Sequence, residues 1–250
     1  MGKKQKVVAI IQARLTSSRL PKKILKDLNG KPLLFQVVKR LSLAEEIDDI
    51  VLAIPDSPSN DELELFVKQR NWNVFRGSED DVLSRYYHAA IRFQADIVVR
   101  ITSDCPLVDP VIIDQTIRRH ARDGNDYTAV GVEGGFPRGL DVEVFNFNTL
   151  AISYDKAVER SEREHVTLFI YQNPKLFRIC FVEAIGVLRR PDIRLTVDTE
   201  EDLLLVREIY SYLDNCGDHF STEDVLATIE NSPYLQSINR HIIQKDLHSS

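Results

Sequence analysis

Seven side chains able to hold a polyanion fall within ten residues of one another: Arg14, Thr16, Ser17, Ser18, Arg19, Lys22 and Lys23. Arginine presents a planar fork suited to phosphate and lysine a mobile point charge. Small hydroxyl residues let a polyanion come close to the backbone. Such a loop is a candidate holder of a triphosphate or pyrophosphate, with Lys23 expected in solvent. A solvated basic surface loop explains the same composition equally well. The two named phosphate-loop patterns, GxxxxGK[ST] and GxGxxG, do not occur here. Asn29-Gly30-Lys31 ends in Gly-Lys, but Leu25 stands where the first glycine is needed.

Two distant acids bear on the choice. Asp104 lies in RITSDCPLVDP (100–110) and Asp198 in DIRLTVDTEED (192–202). A carboxylate beside phosphates calls for a cation between them, and Mg²⁺ takes one or two carboxylates plus phosphate oxygens. Each acid also has a plainer role. Asp104 suits a turn before Pro106. Asp198 or Thr199 suits an N-cap, with Glu201 or Asp202 completing a capping box. GSEDDVLSRYYHAA (77–90) reads first as a capped helix. Its donors Ser78 and Arg85, with Arg76 just before it, are candidates for a base pocket, which spacing alone does not show. GGFPRGLDVEV (134–144) offers Arg138, Asp141 and Glu143. Glu164-His165 falls in a helical pattern, where a lone histidine is more often structural, and the six histidines show no metal-ligand spacing.

The elements that position these groups read as alternating strands and helices. Residues 7–11 run apolar without alternation, as in a strand covered on both faces, and the donor-rich loop follows its carboxyl end, where open α/β sheets bind ligands. Pro32 opens an amphipathic helix to about residue 44, with Leu33, Leu34, Val37, Val38 and Leu41 inward. Further strands are expected over 49–54, 73–75 and 96–101. Helices are expected over 61–70 (Asn60 as cap), from Ser78 to about 93, and from Asp109-Pro110 to Gly124. This order means right-handed βαβ units and a mostly parallel sheet. Strands over 127–130, 140–145 and 177–182, a strand-like run ending at Asp198, and helices over 161–172 and 199–213 complete a mixed sheet. Five Gly and Pro residues crowd what reads as a flexible loop over 131–139. The fold class is α/β in one domain of 1–250: a nucleotide-binding part over about 7–125, an acceptor part over about 126–215, and a C-terminal helix from about Thr222 with a polar tail in 216–250.

The 250 residues are 43% hydrophobic and 28% charged, ordinary for a globular protein. The apolar runs fall short of the roughly 20 residues that span a bilayer, and Met1–Lys6 carry no cleavage signature. Cys105, Cys180 and Cys216 are odd in number and far apart, which fits a reducing cytoplasm rather than a disulfide framework. The net charge of −6 hides an asymmetry, since residues 1–40 hold eleven Lys/Arg and one acid. With one aromatic in that span, Phe35, a small anionic ligand explains it better than nucleic acid. Phe145, Phe147, Phe169 and Tyr171 suit a homodimer face or the core equally.

Taken in order, AIIQARLTSSRLPKKIL, GSEDDVLSRYYHAA, RITSDCPLVDP, GFPRGLDVEVF, REHVTLFIY and IRLTVDTEEDL resemble the acylneuraminate/3-deoxy-octulosonate cytidylyltransferases, and most of all their spore coat polysaccharide branch. The resemblance spans about residues 7–206. It implies a Rossmann-like nucleotidyltransferase fold and transfer of CMP from CTP to an acidic sugar, with Mg²⁺. It also implies roles: Arg14, Lys23 and Asp104 catalytic, with Ala13, Arg14, Ser17, Arg19 and Lys23 around the triphosphate. Arg76, Ser78, Asp80 and Thr102 would serve the base, Asp104 and Asp198 the metal, and Arg138, Glu143, Glu164 and His165 the acceptor sugar. The family loop often reads Pro-Gly-Lys, whereas this chain has Pro21-Lys22-Lys23. A GT-A-like glycosyltransferase or a non-catalytic sugar-nucleotide sensor are the rivals. The first needs no triphosphate loop and carries an Asp-x-Asp triplet, which Ser103-Asp104-Cys105 is not. Intact Lys23, Asp104 and Asp198 weigh against the second.

Overall fold

A computed structural model describes residues 4–213 and 219–243; Cys216 and the end of the expected tail lie outside them. The chain runs β1 (Val7–Gln12), β2 (Asp27–Leu28), β3 (Lys31–Pro32), α1 (Leu33–Leu41), β4 (Asp49–Pro55), α2 (Asp61–Lys68), β5 (Asn73–Gly77), α3 (Val82–Arg92), β6 (Ile97–Thr102) and α4 (Pro110–Asp123). It continues with β7 (Tyr127–Val130), β8 (Val142–Asn146), α5 (Phe147–Lys156), α6 (Arg160–Glu164), α7 (Leu168–Gln172), β9 (Ile179–Phe181), α8 (Glu200–Leu213), α9 (Thr222–Glu230) and α10 (Pro233–Ile238). Seven strands form one sheet in the order β5-β4-β1-β6-β8-β7-β9, with β2 and β3 a separate hairpin. Strands β5, β4, β1 and β6 are parallel, β8 runs against both its neighbours, and β9 is parallel to β7.

Strand β1 is central and buried on both faces. Val7, Ala9 and Ile11 join one apolar cluster with α1, α4 and α8, while Val8 and Ile10 join the other with α3 and α5. That explains its unbroken apolar run. The inward residues expected of α1 are all buried. Helix α4 is capped at both ends as its sequence implies: Asp109 accepts from the N–H groups of Val111 and Ile112, and Gly124 closes the helix at φ 62°. Phe145 lies in the second cluster, with Phe147 and Phe169 packed against it.

Several expectations are corrected. Asp81, not Ser78, caps α3 by accepting from Ser84 N–H, while Ser78 Oγ accepts from Asp81 N–H. The helix expected over 161–172 is two, broken where buried Val166 takes φ 26°, a conformation costly for a β-branched residue. The run ending at Asp198 is not a strand; it holds a single bridge, Arg138 to Arg194. Its alternating Ile193, Leu195 and Val197 are buried beneath the glycine-rich loop. That loop is packed, with Phe136 and Leu140 in the core. Gly139 (φ 98°) lets it lie on the 195–196 backbone, where a Cβ would stand 2.4 Å from Thr196 N. The segment after α9 forms α10, with Leu235 fully buried, rather than a polar tail.

Candidate active site

The basic loop is built into the fold. Leu20 and Ile24 are 1% and 0% exposed. Leu15 N–H donates to Asn60 Oδ1 (3.0 Å), and Asn60 donates in turn to the hydroxyls of Ser57 and Ser59. Asn60 therefore serves the loop rather than capping α2, for which it makes no side-chain bond. Lys22 adopts the left-handed conformation (φ 53°), which turns the chain into the short 3₁₀ segment Lys23–Leu25. A lysine thus holds a backbone shape that glycine adopts most readily.

Lys23 is not in solvent. Its Nζ donates to Asp104 Oδ2 (2.8 Å), Asp198 Oδ1 (2.8 Å) and Val197 O (2.9 Å), one acceptor for each of its hydrogens. Three chain segments meet at this nitrogen. The pairing of Gln12 with Thr102 aligns the ends of β1 and β6, which places Asp104 beside the loop. A backbone bond from Val197 N–H to Asp104 O (2.8 Å) then brings in Asp198.

Arg19 lies 3.2 Å from the same Asp198 oxygen, and Arg194 Nη2 donates to the other at 2.7 Å. Burial opposes charge on Lys23, but Asp104 and Asp198 outweigh it and raise the lysine pKa. Burial likewise works against the Asp198 anion, yet Lys23, Arg194 and Arg19 bring its pKa down to about 2. Lys23 and Asp198 therefore both keep their charges at neutral pH. Thr199 and Asp202 form the reciprocal cap of α8, so Asp198 is not spent on capping.

Residues 8–231 match the cytidylyltransferase family. The chain is a member of that family. It is therefore a nucleotidyltransferase. Among relatives, the spore coat polysaccharide biosynthesis protein SpsF of Bacillus subtilis is 38% identical over 209 residues, 82% of this chain and 86% of that one. An 8-amino-3,8-dideoxy-manno-octulosonate cytidylyltransferase of Shewanella pealeana is 35% identical over 135 residues, 51% of this chain and 53% of its own. The structure of a cytidylyltransferase from Leptospira borgpetersenii superposes with a TM-score of 0.88 at 29% identity, covering 96% of this chain and all of that one.

The remaining candidate residues of this cytidylyltransferase fall into two sets. Arg14 is exposed and makes no hydrogen bond or ion pair among the described residues; it lowers the pKa of Glu79 only weakly, behind the hydrogen bond from Ser57. Ala13 N–H is bound to Ala53 O at the start of the loop, and Ser17 N–H to Leu15 O. Asp80 is exposed. Thr102 Oγ1 lies 3.2 Å from Cys105 Sγ. Arg76, by contrast, spends its guanidinium on Asp61, Glu64 and the Ser57 carbonyl, bracing α2. Arg85 is 3% exposed and donates to the Ser78 and Glu79 carbonyls, with its Nε unpartnered, so it supports the loop before α3 from beneath.

Of the residues that the resemblance assigns to the acceptor sugar, Glu143 is buried and fully engaged: Arg100, Tyr127 Oη (2.6 Å) and Thr167 Oγ1 (2.6 Å) all donate to it. Burial opposes its charge, but these donors lower its pKa. It links β6, β7, β8 and the turn before α7. Arg138 binds Ile193 O and Leu195 N–H through its backbone. Glu164 ends α6, and His165 caps it. Asp141, just before β8, accepts from Gly139 N–H at 2.8 Å, and burial pushes its pKa up to about 6. The sequence singled out Asp141 without a role. It did not reveal Arg194 and Asp202 as partners of the centre, because their pairing depends on a turn that carries no periodic signal.

Proposed function

We propose that the protein transfers CMP from CTP to a hydroxyl of an acidic sugar, releasing pyrophosphate, in the cytoplasm and for surface polysaccharide synthesis. The convergence of Lys23, Asp104 and Asp198 at the ends of β1 and β6 carries this reading. The octulosonate enzyme named above acts on a sugar acid, and the spore coat relative names a polysaccharide. Asp104 and Asp198 fit Mg²⁺ in donor type, since each offers a hard carboxylate oxygen at the same sheet edge, beside Lys23 Nζ. When bound there, the ion would neutralise phosphate charge and polarise the α-phosphate.

The chain's own residues do the rest by position and charge. Arg14 and Arg19 grip the triphosphate from the loop. The sugar oxygen forms a bond to the α-phosphorus as the bond to the β-phosphate oxygen breaks, and its proton passes to solvent. Lys23 offsets the charge that grows on departing pyrophosphate. The backbone of 76–80, with Thr102, faces the base. A pyrophosphate-release screen of the four ribonucleoside triphosphates against a panel of acidic sugars tests this. Release is expected with CTP and at least one sugar acid. Equal thermal stabilisation by all four nucleotides, with no release, would sink the reading.

A further inference from the structure

The match to the family ends at residue 231, yet the chain beyond it returns to the active centre. Helix α10 docks through Leu235, which is 0% exposed, and delivers Asn239, which is 7% exposed. Asn239 Nδ2 donates to Asp202 Oδ1 (2.9 Å) and to the backbone carbonyl of Arg194 (3.0 Å). Asp202 is completely buried. It takes Arg194 Nε (3.0 Å) and Nη2 (3.1 Å), and also the N–H groups of Asp198 (3.0 Å) and Thr199 (3.1 Å). Arg194 Nη2 in turn reaches Asp198 Oδ2, whose other oxygen holds Lys23.

We propose that Asn239 is a positioning residue for Asp198, supplied from the end of α10. One amide ties the main chain of Arg194 to the carboxylate that orients its side chain. The guanidinium is thereby fixed at both ends of the residue. Asp198 is then held at a set angle, with one oxygen on Arg194 and the other turned to the triphosphate loop. Removing Asn239 takes one donor from Asp202 Oδ1 and the donor from the Arg194 carbonyl. Arg194 and the two backbone N–H groups still hold Asp202, but the pair, and Asp198 with it, is held less tightly. Such supporting contacts decide whether ligating carboxylates keep their aim.

The inference rests on the functional reading above, and calorimetry of CTP binding separates the two. CTP is titrated into the full chain with MgCl₂ and again with EDTA. Wild type is expected to bind CTP more tightly with Mg²⁺. Asn239→Ala is expected to reduce that gain about tenfold, the scale of one lost hydrogen bond to a charged group, with binding in EDTA unchanged. Asn239→Ser, which keeps a short donor and disturbs packing less, should fall between and serves if the alanine variant does not fold. In an Asp198→Asn background, Asn239→Ala should change the gain no further, because both act through one carboxylate. A lowered melting temperature with the full Mg²⁺ gain retained would reduce Asn239 to docking α10 and overturn the inference. So would an undiminished effect in the Asp198→Asn background. Wild-type binding that ignores Mg²⁺ overturns the functional reading and the inference with it.

Discussion

Lys23 cannot be removed without leaving Asp104 and Asp198 facing one another across the space of an ammonium group. A lysine in a solvated loop, as the sequence reads it, would cost almost nothing to replace. The cage changes that, because stripping one partner from a mostly buried ion pair is costly. Lys23→Ala is expected to lower stability by about 2–4 kcal/mol and to slow turnover by about a hundredfold to a thousandfold. Denaturant unfolding beside pyrophosphate release checks both, and wild-type stability would refute the cage. The acids give opposite pH signatures. Asp198 has its pKa lowered from 3.8 to about 2, so its contribution is present above pH 3.8 and is lost as pH falls toward 2. Asp141 has its pKa raised from 3.8 to about 6, so stability is lost as pH rises through that interval. Asp141→Asn keeps an acceptor for Gly139 N–H and removes the charge. It is expected to raise stability at pH 8 by about 2 kcal/mol, by removing a charge that burial disfavours, and to flatten the profile between pH 4 and 6. A variant less stable than wild type at pH 8 would show that the Asp141 charge is wanted for folding.

Two backbone positions set how elements meet at the site. Gly139 sits at φ 98° against the 195–196 backbone, leaving no room for a methyl group. Gly139→Ala therefore combines strain with a clash, and a loss of about 2–4 kcal/mol is expected by thermal or urea unfolding. A change under 1 kcal/mol would mean the loop can lift off Thr196 freely. Lys22 is the converse case. It occupies a left-handed turn at φ 53° and pairs with Glu62 only at the surface, both side chains being more than half exposed. Lys22→Gly relieves the strain, gives up a pair worth little, and frees the unfolded chain. The net is expected to be a gain below about 1 kcal/mol, with turnover unchanged. A large loss of stability or turnover would show that the Lys22 side chain itself is required.

At the scale of the whole molecule, a buried acid, Asp109, joins the start of α9 to the start of α4. Asp109 caps α4 with one oxygen and accepts Thr222 N–H (2.7 Å) and Thr222 Oγ1 (2.8 Å) with the other. Arg40, 2% exposed, adds hydrogen bonds to the carbonyls of Val108 and Phe220 and lies over the Phe220 ring. Asp109→Ala is expected to cost about 2–3 kcal/mol, a lost cap plus buried donors left unpaired. Hydrogen exchange should rise in 222–239 as well as in the first turn of α4. Protection lost in α4 alone would show that α9 and α10 are held by apolar packing.

Local signals sufficed wherever a residue's role follows from its near neighbours. The apolar run of β1, the Asp109-Pro110 start and Gly124 stop of α4, and the inward stripe of α1 are set by steric preference and periodicity within one element. So is the donor-rich loop as a candidate, and six collinear motifs along the chain carried the family. The tertiary structure decided what periodicity does not encode. Residues 193–198 alternate like a strand because they are buried under a glycine-rich loop, although they pair with the sheet through one bridge. Asp104 and Asp198 are 94 residues apart and share one ammonium only because β1, β6 and the turn before α8 end at the same edge. Glu143 reads as a ligand in the sequence and is a buried junction in the fold, since Arg100, Tyr127 and Thr167 reach it from three other segments. Asn239 gave no signal at all. A polar residue near a chain end looks like tail until packing of a helix such as α10 removes it from water, and then each of its hydrogens must find an acceptor.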